Sequence, residues 1–145
     1  MEARFETFTV LINRISRNIR RIKNQEMAEY NLKGAHVSCL YYLYKEKGLT
    51  ATELCERCEE DKATISRALD YLEENSYIIR GPKDVKRYKS PILITEKGLV
   101  VGKKISEKID GVLDEISNSM TEEERVRFYN SLSSISQRLD NVASE

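Results

Sequence analysis

Apolar residues recur at Phe5, Phe8, Ile12, Ile15, Ile19 and Ile22, and again at Phe128, Leu132, Ile135, Leu139 and Val142. Spacing that alternates three and four puts each set on one stripe of a helix, the seam along which helices pack lengthwise. The second helix has a clear start: Thr121 with Glu124 three residues on reads as a capping box, and acids crowd its first turn as the helix dipole prefers. A further long helix is expected from about Thr95 to Ser119, with Ile105, Ile109, Val112, Leu113 and Ile116 facing inward. In a chain of 145 residues this is more apolar seam than one copy covers. Part of it is expected to meet a second subunit.

The middle is built on a smaller scale. A short helix is expected from Ala35 to about Glu46, entered after Gly34 and ended near Gly48. Another runs from Thr50 to about Cys58, with Ala51, Leu54, Cys55 and Cys58 on one buried face. Asp61 is a good N-cap for a third, running to about Asn75 with Ile65, Ala68, Leu69 and Leu72 inward. Two β-rich runs follow, Tyr77-Ile78-Ile79-Arg80 and Ile92-Leu93-Ile94-Thr95, separated by Gly81-Pro82 and a basic polar loop. They read as a hairpin with a long tip, and Pro91 is tolerable at the start of an edge strand. The fold class expected is mainly α with a small β-hairpin wing: a winged helix-turn-helix between long terminal helices, in one domain.

Composition bounds the function. Lys+Arg and Asp+Glu are 24 each, so net charge is silent, but its distribution is not. Five basic residues and one acid lie between Arg80 and Lys89, and six basic residues and one acid between Arg4 and Lys23. From Glu107 to Glu145 there are nine acids and four bases. Such segregation gives one surface an affinity for phosphate while the whole stays neutral. The apolar runs fall short of a membrane span, and the charges scattered through the first residues differ from a signal peptide. An odd three cysteines argue for a reducing cytoplasm rather than a disulfide framework. With one histidine, no phosphate-binding glycine loop and no nucleophile–base pair, an enzyme is not expected, nor is a cofactor.

In a helix-turn-helix the second helix of the motif enters the major groove. With Ile65, Leu69 and Leu72 inward, Ala63, Ser66, Arg67 and Asp70 turn outward, while Lys62 and Thr64 occupy the first turn, where free N–H groups favour phosphate. Arg67 is long enough to take a guanine edge with two hydrogen bonds. Glu73 and Glu74 are repelled by phosphate and so mark where contact ends.

The stretches "TATELCERCEEDKATISRALDYLEENSYIIR" (Thr50–Arg80) and "ILITEKG" (Ile92–Gly98) resemble the MarR (multiple-antibiotic-resistance regulator) family of winged-helix transcription regulators, and the resemblance extends over nearly the whole chain. It implies dimerisation helices at 1–33 and 99–145 around a DNA-binding lobe at 34–98. It also implies a hairpin tip that enters the minor groove. The family's Asp-x-Arg wing motif is altered here: Asp84 is followed by Lys86, and the strict register falls on Lys86 and Tyr88. Arg87 is therefore taken as the minor-groove residue, with Lys86 and Lys89 on phosphate. Family members that respond to ligands bind small aromatic acids between the dimerisation helices and the winged lobe, which makes Arg17, His36 and Tyr42 the candidates for an effector pocket. Arg17, Arg20 and Arg21 equally suit DNA phosphates or solvent, and His36 suits a partly buried hydrogen-bonded histidine.

Cys39, Cys55 and Cys58 read as small core hydrophobes, since one CxxC lacks the further ligands of a zinc site. No metal is expected. The function expected is a sequence-specific DNA-binding transcription regulator, a repressor, working in the cytoplasm as a homodimer on a pseudo-palindromic operator and released by a small aromatic or anionic effector. The alternative is a winged-helix module that docks on a protein.

Overall fold

Side-chain caps decide where the two helices of the turn motif begin. The structure, a computed structural model, describes residues 3–83 and 86–144. Helix α1 spans Ile12–Glu26, continued upstream by a wider-wound stretch at Glu6–Leu11, and α2 spans Ala35–Lys45. Thr50 then opens α3 (Ala51–Cys58): its Oγ1 accepts from the Glu53 N–H at 3.2 Å, and Glu53 Oε1 accepts from the Thr50 N–H at 3.3 Å. Helix α4 (Lys62–Glu74) opens at Asp61, whose Oδ1 accepts from the Thr64 N–H at 2.7 Å. Between them Glu59 takes a left-handed conformation (φ 51°) and Glu60 N–H bonds back to Cys55 O at 3.2 Å. That tight exit swings the chain from α3 into α4 within three residues, which is what a helix-turn-helix needs.

A second left-handed residue, Ser76 (φ 63°), ends α4, with Tyr77 N–H returning to Leu72 O at 2.9 Å. The wing follows as β1 (Ile78–Ile79) and β2 (Leu93–Ile94), antiparallel in the register Ile78 to Ile94 and Ile79 to Leu93. These strands are half the expected length, and the hydrogen bonds show why. Ile92 donates to Leu49 O at 2.9 Å, ahead of α3, instead of extending the ladder towards Arg80, and Pro91 has no N–H to give. The last two helices are α5 (Glu96–Ser117) and α6 (Glu122–Ala143). Thr121 caps α6 in the expected capping box with Glu124. No helix among the described residues is long and apolar enough to cross a membrane.

The chain groups into two compact units, residues 1–107 and 108–145, with the division inside α5. The core belongs to the first. Leu40 and Cys39 of α2, Leu54 of α3, Ile65, Leu69 and Leu72 of α4, Ile78 of β1 and Ile105 of α5 are all but sealed from solvent. The expected inward face of α4 is thus the observed one. On α3 the buried face is narrower than its periodicity suggests: Leu54 is sealed, while Ala51, Cys55 and Cys58 are half-buried. An eight-residue helix packs only its central turn fully. Two glycines let α5 approach. A Cβ on Gly98 would overlap the Tyr77 carbonyl oxygen, and one on Gly102 would lie 2.7 Å from Tyr44 Cβ.

The seams behave differently. Phe5, Phe8, Ile12, Ile15, Ile19 and Ile22 are all exposed in the single chain, Phe5 at 69%. In the second unit Phe128, Leu132, Leu139 and Val142 of α6 are exposed as well, and so are Leu113 and Ile116 at the end of α5, which had been expected to face inward. Contiguous apolar stripes of this size are rarely left to water on a soluble chain.

Candidate nucleic-acid interface

Helix α4 turns a small, polar and basic face outward. Lys62, Ala63, Ser66, Arg67 and Asp70 are exposed, and Thr64 is half-buried, with its N–H donating to the Asp61 cap. That bond, with Thr64 contacts and Arg67 nearby, holds the Asp61 carboxyl below its ordinary range, so the cap stays ionised through the neutral range. Arg67 lies along the helix, its Nη2 donating to Thr64 Oγ1 at 3.4 Å. A contact that long and exposed leaves the guanidinium able to swing away.

The wing is fastened to the same helix. Tyr88, in a one-turn 3-10 helix at Arg87–Lys89, receives the Lys62 ammonium over its ring at 4.9 Å and that of Lys89 at 5.7 Å. These cation–π contacts gather basic charge where the start of α4 meets the wing. Beneath them runs an ion network. Arg80 Nη2 donates to Asp70 Oδ1 at 2.6 Å and to Glu73 Oε1 at 3.1 Å, and Arg87 Nη2 donates to the same Glu73 oxygen at 2.6 Å. Burial pushes the Glu73 carboxyl upward, but the hydrogen bonds and charges of Arg80 and Arg87 outweigh it and hold the group below the usual carboxylate range. The arginine side chains are only 9% and 15% exposed, and their Nε atoms have no hydrogen-bond partner among the described residues. Between α3, α4 and the wing lies a cleft of about 460 Å³, floored by Ile65, Leu69 and Ile92 and edged by Cys55, Arg80 and Arg87.

The placement of the sequence-derived residues is therefore mixed. Lys62, Ala63, Ser66 and Arg67 share one open face, as expected. Asp70 is on that face too, but its carboxylate is committed to Arg80. Lys86 and Lys89 are exposed on the wing, where Lys86 O accepts the Lys89 N–H at 3.0 Å. Arg87 does not project from the tip: Glu73 draws it back. Asp84, the first residue of the altered wing motif, lies outside the described residues. Sequence reasoning missed Glu73, Arg80 and Tyr88 as parts of this surface. Glu73, expected at the edge of phosphate contact, anchors two arginines. Periodicity carries no sign of this, because the partners come from a different element.

The three effector candidates are not drawn together by any cavity described. Arg17 is exposed on α1. His36 stacks on Tyr71 with centroids 4.0 Å apart, and its Nδ1 accepts from the Lys33 N–H at 3.4 Å. Burial, then the Lys33 charge, pushes its pKa below the ordinary histidine value, so the ring is neutral near pH 7. Tyr42 is half-buried, its hydroxyl pKa raised by burial and then by Cys58. None of the three lines the wing cleft or the cleft of about 510 Å³ formed by Asp110, Leu113, Asp114, Ser117, Arg125 and Tyr129. Among the described residues no group of histidine, cysteine and carboxylate side chains could hold a metal ion.

Comparison with known proteins bears out the family resemblance. Residues 30–87, which run from before α2 through α4 into the wing, match the model of the MarR family. Among solved structures, a MarR family transcriptional regulator from Silicibacter pomeroyi is 26% identical over 86% of this chain and 84% of its own, with a TM-score of 0.73. The S. aureus MepR–DNA complex superposes with a TM-score of 0.81 at 22% identity, covering 91% of this chain and 97% of that one. A MarR family regulator from Neisseria meningitidis gives the same TM-score at 18% identity over 99% of both chains. No curated protein matches the sequence. The segment 30–87 is thus similar to the MarR family, and the fold is that of the solved MarR family regulators.

Proposed function

We propose that the protein is a DNA-binding transcription regulator, a repressor, that acts in the cytoplasm as a homodimer on a pseudo-palindromic operator. The observation that carries this reading is the open face of α4. Lys62, Ser66 and Arg67 stand on a helix whose opposite side is sealed into the core, so the face is rigidly presented and small enough to enter a major groove. The likeness of the fold to a regulator solved on DNA supports it. So do the uncovered stripes of α1 and α6, which suit a second copy, and a two-fold dimer sets two α4 helices about one turn of DNA apart, roughly 34 Å.

Within this reading Arg67 reads a base edge, and Lys62, Lys86 and Lys89 bind phosphate. No effector is assigned, because Arg17, His36 and Tyr42 share neither cavity. The protein-docking alternative puts the same face of α4 against a polypeptide. Selection of bound fragments from genomic DNA, followed by titrations at several salt concentrations, separates the two. Arg67→Ala is expected to weaken the preferred site by about 1–3 kcal/mol and to relax discrimination at one base pair per half-site. An Arg67→Ala protein with unchanged affinity and base preference would refute the assigned role.

A further inference from the structure

The wing carries an aromatic ring at the point where it meets the start of α4. Its turn at Arg87–Lys89 is closed by Lys89 N–H donating to Lys86 O at 3.0 Å, Ser90 N–H to Arg87 O at 3.1 Å and Ser90 Oγ to Lys86 O at 3.1 Å. Arg87 fastens this turn to Glu73, near the end of α4. Its neighbour Tyr88 meets the opposite end of the same helix, in the wing cleft beside Ala51 and Thr52 of α3 and Lys62, the first residue of α4. Tyr88 is 40% exposed, with Lys62 Nζ 4.9 Å and Lys89 Nζ 5.7 Å from its ring centroid. The negative face of the ring attracts each ammonium, yet the two cations repel each other. Among the described residues no carboxylate lies within ion-pair distance of either. Two cations gathered on one exposed ring with no acid between them form a place for an anion.

We infer that Tyr88 is a positioning residue for DNA, holding Lys62 of α4 and Lys89 of the wing as one clamp on a single backbone phosphate. The inference rests on the DNA-binding reading above and adds which cations act together and what places them. A lysine carries its charge on four flexible carbons, and fixing such a chain costs rotamer freedom. The ring gathers both ammonium groups before DNA arrives, so less freedom is lost on binding. Lys62 belongs to the helix that enters the major groove and Lys89 to the wing, so a shared phosphate also sets the wing relative to α4. Phosphate contacts position a protein without reading sequence, so Tyr88 governs affinity and leaves base choice to other residues.

The test titrates the preferred genomic fragment and a scrambled duplex of equal length at several salt concentrations. Tyr88→Leu, which keeps an apolar side chain in the cleft, is expected to weaken both duplexes alike, by about five-fold per subunit, and to lower the salt slope by about one unit per subunit. Tyr88→Phe, which keeps the ring, is expected to restore the parent slope. In a Lys62→Gln background the effect of Tyr88→Leu is expected to vanish. Without DNA, the ring current of Tyr88 is expected to move the ε-methylene protons of Lys62 upfield in the NMR spectrum of the parent protein and of Tyr88→Phe, but not of Tyr88→Leu. Circular dichroism confirms that each variant is folded. A parent protein that shows this shift but binds no DNA would overturn the DNA-binding reading, and the clamp with it. A Tyr88→Leu protein with the parent's affinity and salt slope would overturn the clamp alone. So would a parent Lys62 resonance without the upfield shift, a Tyr88→Phe protein as weak as Tyr88→Leu, or an equal effect of Tyr88→Leu with and without Lys62.

Discussion

Replacing Glu73 with Gln keeps the shape of the side chain and removes the charge that Arg80 and Arg87 share. Their dependence on it is unequal. Arg80 retains Asp70 at 2.6 Å, whereas Arg87 loses its carboxylate partner. Removing one member of a fully buried pair costs about 3–5 kcal/mol, and breaking an exposed pair at most about 1. Glu73, with 31% of its side chain exposed, lies between these limits. The expected loss is about 1–2 kcal/mol, from the position of the pair between the exposed and buried cases. For a domain of this size that lowers the melting temperature by roughly 2–6 °C. Because the Glu73 carboxyl is held below its ordinary value in the folded state, its contribution is fully present above that value and fades as the pH falls through the lower, folded one. Thermal melts of both proteins should therefore differ at pH 7 and converge in acid. A Glu73→Gln protein that melts with the parent at pH 7, or a gap that widens on acidification, would refute the network as a source of stability. On DNA the same substitution releases Arg87 to phosphate, and the salt dependence should steepen by about one unit per subunit.

Two glycines of α5 should respond in opposite senses to alanine. Gly98→Ala forces a methyl into the Tyr77 carbonyl and to 2.6 Å from Ile94 Cγ1, and is expected to cost about 2–3 kcal/mol in denaturant titrations. Gly111→Ala meets open space inside a helix and should stabilise by about 0.5–1 kcal/mol. Leu132→Asp with Leu139→Asp puts two charges on the uncovered stripe of α6 and should convert a dimer to a monomer by sedimentation while leaving helix content intact; a dimer that survives both charges would remove α6 from the interface.

Much of the molecule follows from local pattern. The inward set of α4, Ile65, Ala68, Leu69 and Leu72, and the caps at Asp61 and Thr121 depend on residues three or four apart, which periodicity and capping chemistry report directly. The terminal seams were legible for the same reason, and so was the outward face of α4, once its inner face was known. What stayed hidden depends on residues distant in sequence. The wing ladder is short because Ile92 spends its N–H on Leu49, forty-odd positions earlier. Arg87 is withdrawn from the tip because Glu73, fourteen residues back, offers a half-buried carboxylate. A hydrogen bond or ion pair needs its partners within about 3 Å, and only the packing of whole helices decides which distant side chains meet that condition.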